Sequence, residues 1–348
     1  MSSTNQSIQQ IKTSIIGASG YTGEELCKVL SSHPYSNLTV VTSRQREGKR
    51  LDQEIAGLYG QSNLRFTNPT PTELIDQADL FFLALPHGVA SDYALPLYKA
   101  GKIVIDLSAD FRLKNAAVYQ EFYQHPHPAP ELLQESVYSM PELYREQIKT
   151  KSLLACPGCY PTSILLALFP ALQNNLLETE SIVINSLSGV SGAGKKADES
   201  LLFCEVNELA KAYGVPQHRH LSEIEQEISF LAKKPVKVTF IPHLIPLHRG
   251  MWSSITCKLS NPKSIEAIQA LYESIFANEP FVRVVPLDQM PNMKNVVRSN
   301  RIEIGLRWDQ RTERLMLFST IDNLGKGAAT QAIQSFNIRM GFPETTGL

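Results

Sequence analysis

The feature that most constrains what this chain can fold into is the alternation of short apolar runs with helix-forming segments up to about residue 150. Ile11–Ile16 reads as a short buried strand, and a glycine-punctuated turn follows it. Glu24–Leu30 then supplies helix formers with Leu26, Val29 and Leu30 on one side. Leu38–Thr42, Asp79–Leu85 and Ile103–Leu107 read as further strands, with Val89–Tyr98 helical between the last two. Strands and helices that alternate in this way form right-handed βαβ units, so a parallel sheet covered on both faces is expected.

The first domain, residues 1–156, is therefore expected to be an α/β nucleotide-binding domain of the Rossmann type. The pattern changes near Cys156. Pro161–Phe169 starts a helix, with proline where a first turn tolerates it. Strand-like runs follow at Ser181–Leu187, Val236–Ile241, Met251–Lys258, Phe281–Val285, Ile302–Trp308 and Leu315–Ile321. The last two flank Asp309–Glu313 and read as a hairpin. This is α+β patterning with a mixed, largely antiparallel sheet, expected over 157–325. A final helix, Lys326–Met340, lies in a segment 326–348 expected to return to the first domain. The Pro/His-rich stretch His125–Pro130 reads as a surface loop, with His125 and His127 structural or solvated.

A chain of 348 residues exceeds the roughly 250–300 at which single cores stop growing, which agrees with two domains. A net charge of −1 gives no basic face to neutralise a phosphate backbone, so nucleic acid is not an expected partner. No stretch approaches the ~18 apolar residues of a membrane helix, and no membrane partner is expected. Met1–Gln10 is polar, without the apolar core of a signal peptide. Five scattered cysteines argue against a disulfide framework. Cytoplasm is the expected compartment.

Gly17-Ala18-Ser19-Gly20-Tyr21-Thr22-Gly23 lies between the first strand and the first helix, where glycines let the backbone approach a pyrophosphate at a helix N-terminus. It departs from G-x-G-x-x-G at Ser19, and a ligand-free tight turn is the bland alternative. An NAD site would place Asp or Glu near the end of the second strand. Here that strand runs into Ser43 and Arg44, with Arg46, Lys49 and Arg50 beyond. Cationic donors in place of an acceptor suit a 2′-phosphate, so NADP is the expected cofactor, against a merely solvated basic loop.

Cys156-Pro157-Gly158-Cys159-Tyr160-Pro161-Thr162 runs into a helix. Cys159 at the first turn would have its thiolate favoured by the helix dipole and free N–H groups. A zinc site would need a second ligand pair at suitable spacing, and Cys204 and Cys257 are isolated, so no metal is expected. A thioredoxin-like dithiol also uses C-x-x-C at a helix start, and core packing explains Cys156. The best-placed base is in His218-Arg219-His220-Leu221-Ser222-Glu223-Ile224-Glu225. Ser222 with Glu225 makes a capping-box pattern, placing His220 just before a helix and Glu223 near enough to orient its ring.

With these pieces assembled, the chain resembles the N-acetyl-γ-glutamyl-phosphate reductase family from about Lys12 to Phe336. The motifs in order are GASGYTG (17–23), TSR (42–44), ALPHG (84–88), DLSADFRL (106–113), PGCYPT (157–162), SGVSGAGK (188–195), HRHLSEIEQ (218–226), PHLIPLHRG (242–250) and DNLGKGAA (322–329). The resemblance implies an NADPH-dependent reductase of arginine biosynthesis that turns an acyl phosphate into a semialdehyde through a cysteine thioester. It implies Cys159 as nucleophile, His220 as acid/base and Glu223 as its partner. Ser108, Arg112 and Arg249 match substrate-binding positions, Pro86 and His87 the loop under the nicotinamide ribose, and Asn323 a position reaching the cofactor. Homodimers or homotetramers built on the second domain's sheet are also implied. Cys156 stands where the family usually has asparagine, Leu221-Ser222 where a proline commonly precedes the glutamate, and Thr330 where glycine is common. The alternatives are the same chemistry on carrier-bound aminoadipyl phosphate or aspartyl phosphate, and a catalytically silent NADP-binding thiol switch.

Overall fold

The computed structural model describes residues 10–348; the polar stretch read above for a signal peptide lies outside them except at Gln10. The described chain clusters into two compact units. One holds the residues up to Phe111 with Pro128–Cys156 and Ala332–Leu348; the other holds Arg112–His127 and Pro157–Gln331. The sequence reading had kept 112–127 in the first domain. Hydrogen bonds explain the difference: Lys114 N–H donates to Gln226 Oε1 at 2.7 Å, and Gln226 Nε2 donates to Arg112 O at 2.9 Å.

In the first unit, β1 (Ile11–Ile16), β2 (Ser36–Thr42), β3 (Phe66–Thr67), β4 (Leu80–Leu83), β5 (Ile103–Asp106), β6 (Val137–Tyr138) and β7 (Leu153–Ala155) form one sheet in the order β3-β2-β1-β4-β5-β7-β6. Every neighbouring pair is parallel. All of β4 and the last four residues of β1 are buried; β4 is accordingly a continuous apolar run rather than an alternating one, while β1 buries Thr13 and Ser14 beside Ile15 and Ile16. The helices α1 (Tyr21–Leu30) and α2 (Ala90–Lys99) follow β1 and β4. Chain order reverses between β1 and β4, the switch point at which open α/β sheets take ligands beyond their strand C-termini. The C-terminal segment joins this unit through the His33 ring, 5.3 Å from that of Phe336, and through Tyr35 stacked on Phe342 at 4.2 Å.

The second unit is built on a mixed sheet. Its strands are β8 (Leu177–Gly189), β9 (Lys211–Ala212), β10 (Thr239–Ile245), β11 (Met251–Leu259), β12 (Val282–Val284), β13 (Ile302–Asp309) and β14 (Arg314–Ile321), in the order β12-β13-β14-β11-β8-β10-β9. Only β8–β10 and β12–β13 run parallel. The strand expected at Val236 begins at Thr239. Val236 N–H is bonded to Ser229 Oγ and Val238 N–H to Glu225 Oε1, so these residues are tied to a helix instead of the sheet.

Helix α3 (Cys159–Gln173) is buried from Tyr160 to Leu172, as a helix apolar on all sides must be, and it packs on β11 and β14. Helix α4 (Arg219–Ala232) packs on α3. Between α3 and the sheet runs a seam of buried serines. Ser186, Ser253 and Ser319 sit in register on β8, β11 and β14. Ser163 of α3 closes the seam, with Oγ–Oγ separations of 2.7 Å to Ser319 and 2.9 Å to Ser253, and Ser186–Ser253 adds 2.8 Å.

Candidate active site

At the β1–α1 turn, Gly17 has φ +89°, and a Cβ there would lie 2.4 Å from Ala84 O, so only glycine fits. A Cβ on Gly23 would meet Gly17 O at 2.4 Å, so this glycine lets helix and turn close on each other. Gly20, the residue before α1, faces open space: its Cβ would meet nothing nearer than Gly17 O at 3.9 Å. Gly17 N–H and Ala18 N–H are fixed by Thr42, and Ser19 Oγ lies 2.8 Å from Ser43 Oγ, which joins two of the predicted cofactor residues. Tyr21 and Thr22 open the helix, where N–H groups lack helical acceptors.

Beyond β2, Ser43 is followed directly by Arg44 rather than a carboxylate; Arg44 is exposed and has no ion pair among the described residues. Arg46 lies 3.6 Å from Glu24 and 3.5 Å from Glu54, and Lys49 lies 3.4 Å from Glu54. An open cradle at a helix start with an uncommitted guanidinium at the neighbouring strand end fits a dinucleotide carrying a 2′-phosphate. Pro86 and His87 are exposed in the loop after β4. Ser108 is buried, its hydroxyl donating to Asp106 Oδ2 at 2.8 Å.

The thiol site belongs to the second unit. Gly158 is extended (φ −69°, ψ 161°) and precedes α3, so the helix begins at Cys159, two residues earlier than the sequence pattern suggested. Pro161 falls in the first turn, where a missing N–H costs nothing. Thr162 bonds back to Gly158 O through both N–H and Oγ1. Cys159 is half-buried, and burial pushes its thiol up to about 11, opposed by the N–H of Tyr160 and the Arg112 guanidinium. The sequence reading weighed only the helix dipole, which favours a thiolate; desolvation outweighs it, and the resting group is a thiol.

A Cβ on Gly158 would lie 2.5 Å from His220 Nε2 and 2.9 Å from an Arg112 guanidinium nitrogen, so imidazole and guanidinium both close on the turn that carries Cys159. Burial, then the charges of His218, Arg112 and Arg219, hold His220 well below its usual 6.5. It is therefore neutral and able to take a proton. The structure differs over Glu223. His220 Nδ1 has no hydrogen-bond partner, so Glu223 does not orient that nitrogen. Glu223 instead accepts from Gly158 N–H at 2.8 Å and from Arg112 at 3.2 Å, setting the helix start and the guanidinium together.

Helix α4 begins at Arg219 rather than Ser222, because the His218 side chain caps it by accepting His220 N–H at 3.1 Å. Ser222 donates to Arg219 O and Glu225 bonds Lys237 and Val238, so the expected capping box does not form. The His218 ring lies edge-on to His220 at 5.0 Å and to Tyr160 at 5.5 Å, and burial lowers it to about 4.

Sequence reasoning missed two residues. A Cβ on Gly327 would lie 2.8 Å from Cys159 Cβ, so the Gly325–Ala329 turn forms a close wall against Cys159. Buried Asp322 takes the Arg249 Nε at 2.8 Å and the N–H groups of Leu324 and Gly325 at 2.9 and 3.2 Å. A π-type turn in DNLGKGAA was the available signal, but its partner lies far away in sequence. The amide of Asn323 is engaged inside the second unit, accepting from Gly250 N–H at 2.7 Å and donating to Ser191 Oγ at 3.0 Å. Thr330, where glycine was expected, donates to Asn300 Oδ1 at 2.7 Å. Among the described residues no cluster of three or more His, Cys, Asp or Glu is arranged to hold a metal, and no helix is long and apolar enough to cross a membrane. None of the five cysteines is in a disulfide, and Cys156 is fully buried.

Comparison with known proteins finds two families along the chain. Residues 12–151 match the family described as semialdehyde dehydrogenase, NAD binding domain, and residues 159–323 the semialdehyde dehydrogenase, dimerisation domain. The chain is 50% identical over 339 residues to an N-acetyl-γ-glutamyl-phosphate reductase of Desulfotalea psychrophila, covering 97% of this chain and 98% of that one. It is 49% identical over 345 residues to the protein of the same name from Akkermansia muciniphila, covering 98% and 99%. Aspartate semialdehyde dehydrogenase II of Vibrio cholerae, complexed with ASA, superposes with a TM-score of 0.73 at 18% identity over 96% of this chain and 99% of that one. The Candida albicans aspartate semialdehyde dehydrogenase with NADP gives 0.70 at 14% identity over 95% and 98%. At those identities the structural likeness speaks for the fold.

Proposed function

The chain belongs to the N-acetyl-γ-glutamyl-phosphate reductase family, and on that premise we propose that it reduces N-acetyl-γ-glutamyl phosphate to N-acetylglutamate semialdehyde and phosphate, as a step of arginine biosynthesis in the cytoplasm. The observation that carries this reading is the closure of a neutral His220 Nε2 and the Arg112 guanidinium on the turn before Cys159. Cys159 Sγ attacks the acyl carbon as its proton passes to His220 Nε2, and the C–O bond to phosphate breaks with its electron pair. Arg112, held by Glu223, receives the departing phosphate. The N–H groups at the start of α3 face the negative charge that develops on the acyl oxygen. The Gly17–Gly23 turn, Ser43 and Arg44 would hold NADPH, which would supply the hydride for reduction of the thioester. His220 returns the proton to sulfur as the aldehyde leaves, and such acid/base action contributes roughly 10²–10⁴-fold.

A raised thiol pKa suits this route. The sulfur stays protonated until an acyl group is present and His220 can take the proton, which limits idle reactivity. We assign the second unit, matched by a dimerisation-domain family, to self-association as a homodimer or homotetramer. The test is reverse turnover: semialdehyde, NADP and phosphate, followed by NADPH absorbance. Wild type forms NADPH, while Cys159→Ser retains nucleotide binding and forms none. Turnover by the serine variant at more than about a hundredth of the wild-type rate would remove the covalent step.

A further inference from the structure

Asp110 lies two residues before Arg112 in the DLSADFRL motif, is completely buried, and has no part in the chemistry above. Its carboxylate is aimed back at the β4–α2 connection. Oδ1 accepts Gly88 N–H at 2.6 Å, and Oδ2 accepts both the N–H and the hydroxyl of Ser91 at 3.0 Å. One side chain thus pins both flanks of Val89, between an exposed Pro86-His87 tip and the first turn of α2. Gly88 itself is left-handed, with φ +80°. Within the loop Val89 N–H bonds Pro86 O at 3.3 Å, and the Asp110 carboxylate adds ties from outside it on both sides of Val89. Asp110 is fixed in turn from its other side: its N–H donates to Ser108 Oγ at 3.1 Å, and the Ser108 hydroxyl donates to Asp106 at the end of β5. The chain Asp106–Ser108–Asp110–Gly88 ties the ends of β5 and β4 together.

Strand order says what this loop would meet. The sheet runs β2-β1-β4-β5, with the phosphate-type turn after β1 and the Ser43–Arg44 pair after β2. A dinucleotide lying along the strand ends with its adenosine half over β2 and its pyrophosphate at α1 puts its other half over β4 and beyond. We infer that Asp110 is a positioning residue for the nicotinamide half of the cofactor, acting through the Pro86-His87-Gly88 loop and leaving the adenosine half alone. This rests on the proposed NADP-dependent reading, and it assigns Ser108 to the same scaffold.

The test compares two ligands that share the adenosine 2′-phosphate and differ in the nicotinamide half: NADPH and 2′,5′-ADP, titrated by calorimetry against the free protein. In Asp110→Asn one oxygen becomes an amide donor, which must face an N–H at either Gly88 or Ser91. The expected result is an NADPH dissociation constant raised about tenfold with that of 2′,5′-ADP within about twofold of wild type. Ser91→Ala, which keeps both backbone bonds, is expected to shift NADPH by less than about threefold, and it carries the comparison if the asparagine variant does not fold. Parallel weakening of both ligands would reduce Asp110 to a structural residue, and no change in either would remove the role altogether. A wild-type protein that binds 2′,5′-ADP but gains nothing from the nicotinamide half would sink the functional reading itself, a result visible before any variant is made.

Discussion

Two helices of this protein start in the same way and are used differently. Both α1 and α3 are preceded by an extended glycine, Gly20 at φ −77°, ψ 163° and Gly158 at φ −69°, ψ 161°. Around Gly20 the space a side chain would take is empty; around Gly158 it is filled by His220 and Arg112. The backbone offers the same free N–H groups and partial positive charge at each place. What differs is who answers them. In the proposed reading, α1 leaves room for a ligand's phosphates, whereas at α3 an imidazole, a guanidinium and a carboxylate close on the turn that carries the thiol. A helix start is thus a general electrostatic tool, and the neighbouring side chains decide between binding and chemistry.

Alanine at the two glycines tests this directly. Gly158→Ala forces a methyl into His220 Nε2, and the imidazole must retreat from the turn. We expect kcat to fall about 10²-fold or more in the reverse assay, with NADPH affinity unchanged. A loss below tenfold would mean that the contact is not part of the working geometry. Next in size is the thiol. Iodoacetamide alkylation of Cys159 in the free protein should keep accelerating through pH 9 toward about 11, and a plateau near pH 9 would show that burial does not control the sulfur.

The histidines give an acid-side counterpart. Unfolded, both titrate near 6.5; folded, His218 titrates near 4 and His220 well below 6.5. The unfolded chain therefore binds more protons between those values, and stability is full above 6.5 and falls as pH drops below it. His220→Gln should flatten the fall in melting temperature between pH 7 and pH 5; an unaltered slope would assign the acid sensitivity elsewhere. Smallest is Gly20→Ala. It should leave the melting temperature of the free protein within about 1–2 °C and weaken NADPH several-fold, because the methyl meets only the ligand. Equal damage to the ligand-free protein would erase the contrast.

Much of the first unit was legible because its strands are buried on both faces: Leu80–Leu83 stands out as an apolar run, and the isoleucines of Ile11–Ile16 lead straight into the glycine turn. The two-residue strands Phe66–Thr67 and Val137–Tyr138 carry no such pattern and exist because a longer neighbour offers an edge. In the candidate site, the position of Cys159 at a helix start followed from the local sequence, whereas His220 falls inside the first turn of α4 rather than before it. The contacts of Glu223 were not legible, since Gly158 lies 65 residues away and a carboxylate beside a histidine motif suggests the wrong partner. The start of α4 was misplaced for a related reason: histidine is an uncommon cap, and a better-known pattern at Ser222 competed for the same role.

The serine seam beneath α3 has a consequence for how the second unit assembles. Its four hydroxyls meet only when β8, β11, β14 and the helix are all in the observed alignment. A strand displaced by one residue would turn its serine out of the seam and strand its neighbour's hydroxyl in a dry interior, at a cost of about 1–3 kcal/mol for each orphan. The seam therefore works like the wards of a lock: it adds little grip, but it rejects near-miss arrangements, so that a chain which finishes folding presents its sulfur at one height above the sheet.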